Sequence, residues 1–316
     1  MNKKTIMLAL GGNALSPKSD AGTIQQQFDY TKKSLTSLMY FVRRNYNICI
    51  THGNGPQVGA ELMRNELASK QVPTLPLNVL VANTQGAMGY MIQQSLQNSL
   101  YNENTNREVV SFISQMKVDQ NDPAIKSPSK YIGQSFTNNE AQNLIDKHKW
   151  KMKEQEPGIW RRVVPSPKPE YIFNGKSIKH LVDFGTIVIA GGGGGIPAYN
   201  LDDGNLKGLD GVIDKDMTAA LLGRIIKAQE LFIITDVDNI CLNFKTESEE
   251  IIYDAPASDV KNWLNEGHFW RGSMEPKIKA ALYFLKYHGK EVIITSINNI
   301  EKAINNKAGT RIIKDK

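Results

Sequence analysis

Short apolar runs that stop at glycine or at a polar turn alternate along this chain with amphipathic stretches of helical period. The first run, Thr5 to Leu10, ends at Gly11-Gly12-Asn13. From about Thr23 to Asn45, Phe28, Thr31, Leu35, Leu38, Met39 and Val42 recur at three-and-four spacing, which predicts one long helix. Ile48 to Thr51 reads as a strand stopped by His52-Gly53-Asn54-Gly55, and further strands are expected at 109–113, 186–190, 231–235 and 291–295. Helical patterns fall at 216–229, 258–266 and 277–288. Strands that are continuous apolar runs, separated by helices, predict an α/β fold with a mainly parallel sheet covered on both faces. Ligands of such sheets bind outside the carboxyl ends of the strands, where these glycine turns lie.

One stretch breaks the alternation. Between about 117 and 170 stand six of the thirteen prolines, at 123, 128, 157, 165, 167 and 169. Proline lacks an N–H and fixes φ, so this density argues against regular helix or central strand, and an inserted subdomain or lid is expected. A long surface excursion is the plainer alternative.

The 316 residues, 41% hydrophobic and 22% charged, suit one large globular domain or two smaller ones. The net charge of +6 is spread over scattered residues, with clusters no longer than pairs such as Arg43-Arg44 and Arg161-Arg162. A nucleic-acid surface carries a denser basic stripe, so this balance implies a mildly basic surface with a site for small anions. Cys49 and Cys241 have no CxxC partner and are expected as buried, reduced thiols. The run after Lys3-Lys4 is short for a signal segment, and none approaches the ~20 apolar residues that cross a bilayer. A soluble, intracellular protein without membrane partners is the expectation.

An apolar strand followed by a glycine turn occurs at Leu10-Gly11-Gly12-Asn13, at Thr51-His52-Gly53-Asn54-Gly55 and at Ala190 before Gly191–Gly195. Such turns let backbone N–H groups converge on a phosphate. The Walker A pattern and the protein-kinase HRD signature are absent, the triplet Asp183-Phe184-Gly185 stands without the rest of that set, and GxGxxG fails at Ile196 and Val58. Phosphate chemistry on another scaffold remains. Lys215, between Asp214 and Asp216, opens one helical pattern, and Lys277, after Pro276, opens another. The aspartates suit a helix N-terminus; the lysines do not, unless an anion is close by. Both then face a shared polyphosphate. His52 and His268 read as hydrogen-bonded structural residues rather than general bases.

These residues resemble the carbamate kinases of the amino-acid-kinase superfamily. The resemblance rests on blocks that run in family order from residue 9 to 277. They are Ala9–Leu15, Thr51–Gly59, Asp122-Pro123-Ala124, Trp160–Pro167, Gly192–Pro197, Val212–Asp216, Thr235–Asp238 and Gly267–Lys277. The resemblance implies a three-layer αβα sandwich, one domain over 1–316, with a protruding lid at about 117–170, and usually a homodimer. It implies reversible transfer between ATP and carbamate, giving ADP and carbamoyl phosphate, in the cytoplasm and in arginine metabolism. Mg²⁺ would be carried by the nucleotide phosphates, without assigned protein ligands. Gly11, Gly12, Asn13, Gly53, Asn54 and Gly55 would hold the small substrate and the transferring phosphoryl group. Lys130, in Ser129-Lys130-Tyr131-Ile132-Gly133, would reach over from the lid. Lys215 and Lys277 would flank the phosphates, with Asp214 and Asp216 orienting Lys215 or the metal. Gly193, Gly194, Asp236, Gly272, Ser273 and Met274 would form the nucleotide side. Rival acceptors within the superfamily are glutamate, acetylglutamate, aspartate and uridylate; the blocks around Lys130, Trp160 and Gly267 speak against them. Three positions depart from the pattern: Tyr131 where proline is usual, Ile159 for a glycine, and Gly211 for a small side chain.

Overall fold

The computed structural model describes residues 3–15, 22–270 and 274–315. Its centre is an eight-stranded sheet in the order 254–256, 310–313, 291–296, 230–235, 5–10, 47–52, 187–189, 109–111. All neighbours are parallel except Glu291–Ser296 against Thr310–Ile313. The continuous apolar runs follow from burial on both faces. In the first strand Met7 and Ala9 enter one core, while Ile6, Leu8 and Leu10 enter the other. Leu231 and Ile233 against Phe232 and Ile234 repeat that division, as do Val188 and Ile189. A period of two with both faces apolar is the signature of a covered sheet.

Helices Gly175–Phe184, Lys215–Ile225, Ala257–Glu266 and Glu275–Lys286 cover the first face, and Ile24–Thr36, Met39–Arg43, Leu77–Asn102 and Ile300–Ile304 the second. This is the three-layer α/β architecture. The single helix expected over 23–45 is corrected to two. The Leu38 N–H donates to Leu35 O and that of Phe41 to Leu38 O, bonds three residues back that tighten the chain. Leu38, Met39, Phe41 and Val42 are all buried as a result, more than one narrow stripe accommodates. Asn45, at φ 56°, ends the segment.

The inference that prolines exclude regular structure over 117–170 is also corrected. No proline lies between 128 and 157. That interval folds as strand Lys130–Phe136, helix Asn138–His148 and strand Met152–Glu156, and strand Ile159–Val164 then returns through the middle of this three-stranded sheet. The helix carries a capping box, Thr137 with Glu140. The flanking segments 115–117 and 171–172 belong to a separate four-stranded sheet with 196–200 and 206–208. A third apolar cluster, with Val58, Leu62, Leu80, Ile132, Val164 and Val212, fixes the three-stranded sheet to helix Gly55–Leu67. There the backbones touch: a Cβ on Gly59 would lie 2.0 Å from Gly133 Cα.

Both cysteines are free, and burial pushes the Cys49 thiol up to about 12. Cys241 is only half-buried, in the hairpin formed by 240–242 and 250–252, so the expectation of two buried thiols holds for one. Among the described residues no helix is long and apolar enough to cross a membrane.

Candidate active site

Parallel strands 5–10, 47–52, 187–189 and 230–235 end at one edge of the sheet, and the glycine turns follow directly. The Gly11 N–H donates to Ile234 O at 2.8 Å and that of Gly53 to Leu10 O at 2.9 Å, so the turns lock onto neighbouring strand ends. Helices Gly12–Leu15, Gly55–Leu67, Lys215–Ile225 and Glu275–Lys286 start here, and first-turn residues of all four line one cleft of about 1290 Å³. Asn54 precedes the second helix without capping it, because its Nδ2 donates to Thr84 Oγ1 at 2.9 Å. Helices Gly55–Leu67 and Glu275–Lys286 have no side-chain cap, and their free N–H groups and dipoles suit this edge to anions.

The charged cluster stands at the same place. Asp214 caps helix Lys215–Ile225, accepting from the Asp216 N–H at 2.9 Å. Lys215 Nζ donates to Asp216 Oδ1, and Lys277 Nζ to Asp216 Oδ2 at 3.3 Å, so one carboxylate holds both ammonium groups. Lys130 Nζ donates to Asp214 Oδ2 at 2.6 Å, tying the three-stranded sheet to the body. Burial opposes ionisation of Asp214, yet Lys130, Lys277 and Lys215 outweigh it and hold the carboxyl below its ordinary range. Asp216 follows the same balance, with Lys215 and Lys277 winning over burial. Burial also lowers the Lys215 pKa, which Asp216 only partly offsets. For Lys277 burial is overcome by Asp216 and Asp214, and its pKa rises. Such a network holds charge ready for a phosphate without bulk water to screen it.

Gly11, Gly12, Gly53, Asn54, Gly55, Lys130, Asp214, Lys215, Asp216, Asp236 and Lys277 therefore line a single cleft. Asn13 lies in helix Gly12–Leu15, and Asp236 follows strand 230–235, where Thr235 Oγ1 donates to its carboxylate at 3.0 Å. Gly193 lines the cleft beside Asn54, with φ +64° and no room for a Cβ, whereas Gly194 is buried against the Ile213 carbonyl. Several polar groups of this glycine run bond within the fold: Thr218 Oγ1 donates to Gly194 O at 2.7 Å and Thr51 Oγ1 to Gly191 O at 2.8 Å. Close packing against His52, Asn54, Ile213 and Thr218 leaves no room for a side chain at 191–194. Gly272 and Ser273 lie outside the described residues; Met274 begins helix Glu275–Lys286 and packs partly buried on the core.

His52 is buried, and burial lowers its pKa to about 4, so it stays neutral and its ring meets Gly53 O. His268 is outside the cleft, paired with Asn243 at 2.7 Å and Glu266 at 3.0 Å. Sequence reasoning missed Gln27, Gln57 and Arg161, which line the cleft. Gln57 and Arg161 lay inside quoted blocks, but only tertiary placement gives them a direction. Of the departures, Tyr131 donates to Glu154 O at 3.2 Å within the small sheet. Ile159 is exposed in the hairpin, and Gly211 passes so near Pro165 O that a Cβ would stand 2.9 Å away.

The profile of the Amino acid kinase family matches residues 4–296. A carbamate kinase of Pyrococcus furiosus is 38% identical over 312 residues, 98% of this chain and 99% of that protein. A carbamate kinase of Giardia lamblia bound to citric acid superposes with a TM-score of 0.93 at 37% identity, covering 99% of each chain. Its form bound to AMP-PNP gives 0.89 at the same identity and coverage.

Proposed function

This chain belongs to the amino acid kinase family, and from that premise and its full-length likeness to carbamate kinases we propose that it is a carbamate kinase. It transfers the γ-phosphoryl group of ATP reversibly to carbamate, giving ADP and carbamoyl phosphate. The observation that carries this reading is the cluster of Lys130, Lys215 and Lys277 on Asp214 and Asp216, where four helix N-termini meet.

Carbamate is an oxyanion at neutral pH, so attack needs no general base. Its oxygen forms a bond to the γ-phosphorus while the β,γ-bridging P–O bond breaks, and the electron pair leaves on the ADP β-phosphate oxygen. No proton is transferred. What the protein supplies is in-line positioning and neutralisation of charge on the phosphoryl oxygens. The glycine turns at 11–12 and 53–55 seat the small substrate and the transferring group. Lys215 and Lys277 neutralise the phosphates; Asp216 holds both, and Asp214 and the lid residue Lys130 hold each other until the nucleotide enters. Asp236 and the start of helix Glu275–Lys286 flank the nucleotide. The segment 130–164 acts as the lid within one domain.

Among the described residues no group of three or more His, Cys, Asp or Glu is placed to hold a metal ion. Asp214 and Asp216 are engaged by lysines, so a Mg²⁺ ion would enter with the nucleotide and would supply neutralisation of phosphate charge.

The chain acts as a homodimer in the cytoplasm, without nucleic acid or membrane. Helix Leu77–Asn102 favours the dimer: its 26 residues include no Asp, Glu, Lys or Arg, and it exposes Val79, Asn83, Gly86, Tyr90, Gln94 and Tyr101 along one face. Two free cysteines favour a reducing compartment. The deciding assay is ATP formation from ADP and carbamoyl phosphate, with acetyl phosphate as control. Absence of signal with carbamoyl phosphate overturns the substrate assignment.

A further inference from the structure

Six described lysines and arginines line the cleft, and five of them have a carboxylate partner. Arg64 pairs with Glu61, Lys130 with Asp214, Arg162 with Glu66, and Lys215 and Lys277 with Asp216. Arg161 meets no carboxylate among the described residues; burial lowers its pKa, and neutral groups hold the charge. A partly buried cation without a counter-charge is destabilising, and a neutral side chain of similar length would fill the space without that penalty. What the guanidinium adds is a rigid fork of donors. It spreads that fork across the whole three-stranded sheet. From the middle strand Ile159–Val164, Nη2 donates to Gly133 O at 2.8 Å on one neighbouring strand and Nη1 to Gln155 Oε1 at 3.2 Å on the other. The same group stands 5.8 Å from the centre of the Tyr131 ring, within cation–π range.

Gly133 is where the ladder of this sheet breaks. Lys130, Tyr131 and Ile132 pair with Val164, Val163 and Arg162, and pairing resumes only at Phe136 with Trp160, so Gly133, Gln134 and Ser135 bulge opposite Arg161. Gly133, at φ +70°, is also the residue whose backbone meets Gly59 of helix Gly55–Leu67. The bulge therefore sets the height of the sheet above that helix, and Lys130 stands three residues before it on the same strand. Arg161 grips this strand on both sides of Ile132, through the Tyr131 ring and the Gly133 carbonyl. Resting on the carbamate kinase reading above, we propose that Arg161 is a positioning residue for phosphoryl transfer: by clamping the bulge at Gly133 it holds Lys130 where its ammonium group can meet the transferring phosphoryl group.

The test is a double-mutant cycle of Arg161→Met with Lys130→Ala, read as kcat for ATP synthesis from carbamoyl phosphate and ADP. Arg161→Met should lower kcat roughly 10- to 100-fold, since a displacement of about 1 Å can cost about a hundredfold. ADP affinity, followed by calorimetry, should stay within a few fold. In protein that already lacks the Lys130 ammonium group, the same substitution should change kcat by less than about threefold, because nothing is left to position. An equal loss in both backgrounds, or a loss below about threefold in the wild-type background, overturns the inference. A residue that only stabilised the sheet would show no dependence on Lys130. Should Arg161→Met fail to fold, Arg161→Lys keeps the stem and the charge but loses the fork. It should show the same dependence on Lys130, and full activity of Arg161→Lys overturns the inference, since charge alone would then suffice. Wild-type protein with no carbamoyl phosphate turnover would instead sink the underlying function, and the proposal with it.

Discussion

Replacing Lys215 by alanine tests the charge-neutralising mechanism most directly. The Lys215 side chain is 12% exposed, paired with Asp216 and at the first position of its helix, so its ammonium group acts in poorly screened surroundings. A unit charge about 4 Å from a developing phosphoryl charge contributes about 4 kcal/mol at an effective dielectric near 20. At about 1.4 kcal/mol per tenfold, that corresponds to roughly a thousandfold in rate. The fold should survive, because Asp216 keeps Lys277 at 3.3 Å and is not left as an isolated buried charge. Asp216 loses the first of the charges that outweigh its burial, so its pKa should rise and the melting temperature fall modestly. The assay is steady-state ATP synthesis from carbamoyl phosphate and ADP, with ADP binding followed by calorimetry and folding by circular dichroism. A well-folded Lys215→Ala that binds ADP and loses less than tenfold in kcat would refute the role assigned to this lysine.

Four other outcomes follow from the same geometry. Lys130→Ala should lower kcat while leaving ADP affinity within a few fold, since Lys130 comes from the lid and meets the body through Asp214 at 2.6 Å; calorimetry and kinetics separate the two. Gly59→Ala should displace the lid, because the new Cβ would lie 2.0 Å from Gly133 Cα; a melting temperature lowered by overpacking of about 1–3 kcal/mol, with raised KM for carbamoyl phosphate, is expected. Glu230, buried and hydrogen-bonded to Glu291 near Lys4, has its pKa raised from 4.5 to about 7, so the folded state binds a proton that the unfolded chain has released. Stability should therefore fall as pH rises from about 4.5 through 7, and Glu230→Gln should flatten that slope in melts across this window. Tyr90→Lys, placing charge on the uncharged helix face, should convert a dimer to monomer in light scattering, and an unchanged mass would move the interface elsewhere.

The sheet was legible because each central strand is buried on both faces, which writes six-residue apolar runs such as Thr5–Leu10 and Glu230–Thr235 directly into the chain. Helix Lys215–Ile225 was legible from the aspartate at its cap. Helices Gly55–Leu67, Leu77–Asn102 and Gly175–Phe184 were not read. In the longest of them, apolar and uncharged polar side chains occupy nearly the whole circumference, and Gly86 and Gly89 interrupt it. Periodicity needs a charged face for contrast, and this helix lacks one. Regular structure within 117–170 was missed for the opposite reason: proline count over a window hid the proline-free interval in which strand, helix and strand form.

Within the site, the two misplaced lysines carried the most information, because a cation at a helix start contradicts the dipole unless something negative compensates it. The structure supplies that compensation twice, through Asp214 and Asp216, which explains why Lys215 and Lys277 are stable before any phosphate arrives. The pairing also sets what entry of a nucleotide must do. On the proposed function, an incoming polyphosphate would compete with these carboxylates for the same ammonium groups, and Lys130 would turn toward it as its bond to Asp214 yields. That reading would make engagement of the three-stranded sheet and phosphate binding one event, linked through Asp214, the carboxylate that caps helix Lys215–Ile225. The glycine run 191–195 gave no such constraint in sequence, since glycine serves a phosphate cradle and a crowded core alike; contact with Asn54, Ile213 and Thr218 shows the crowding, and Gly193 also lines the cleft. Gln57 was silent for a related reason: an amide acquires direction only from the groups it meets, here Gln27 and, behind it, the carbonyl of Gly22.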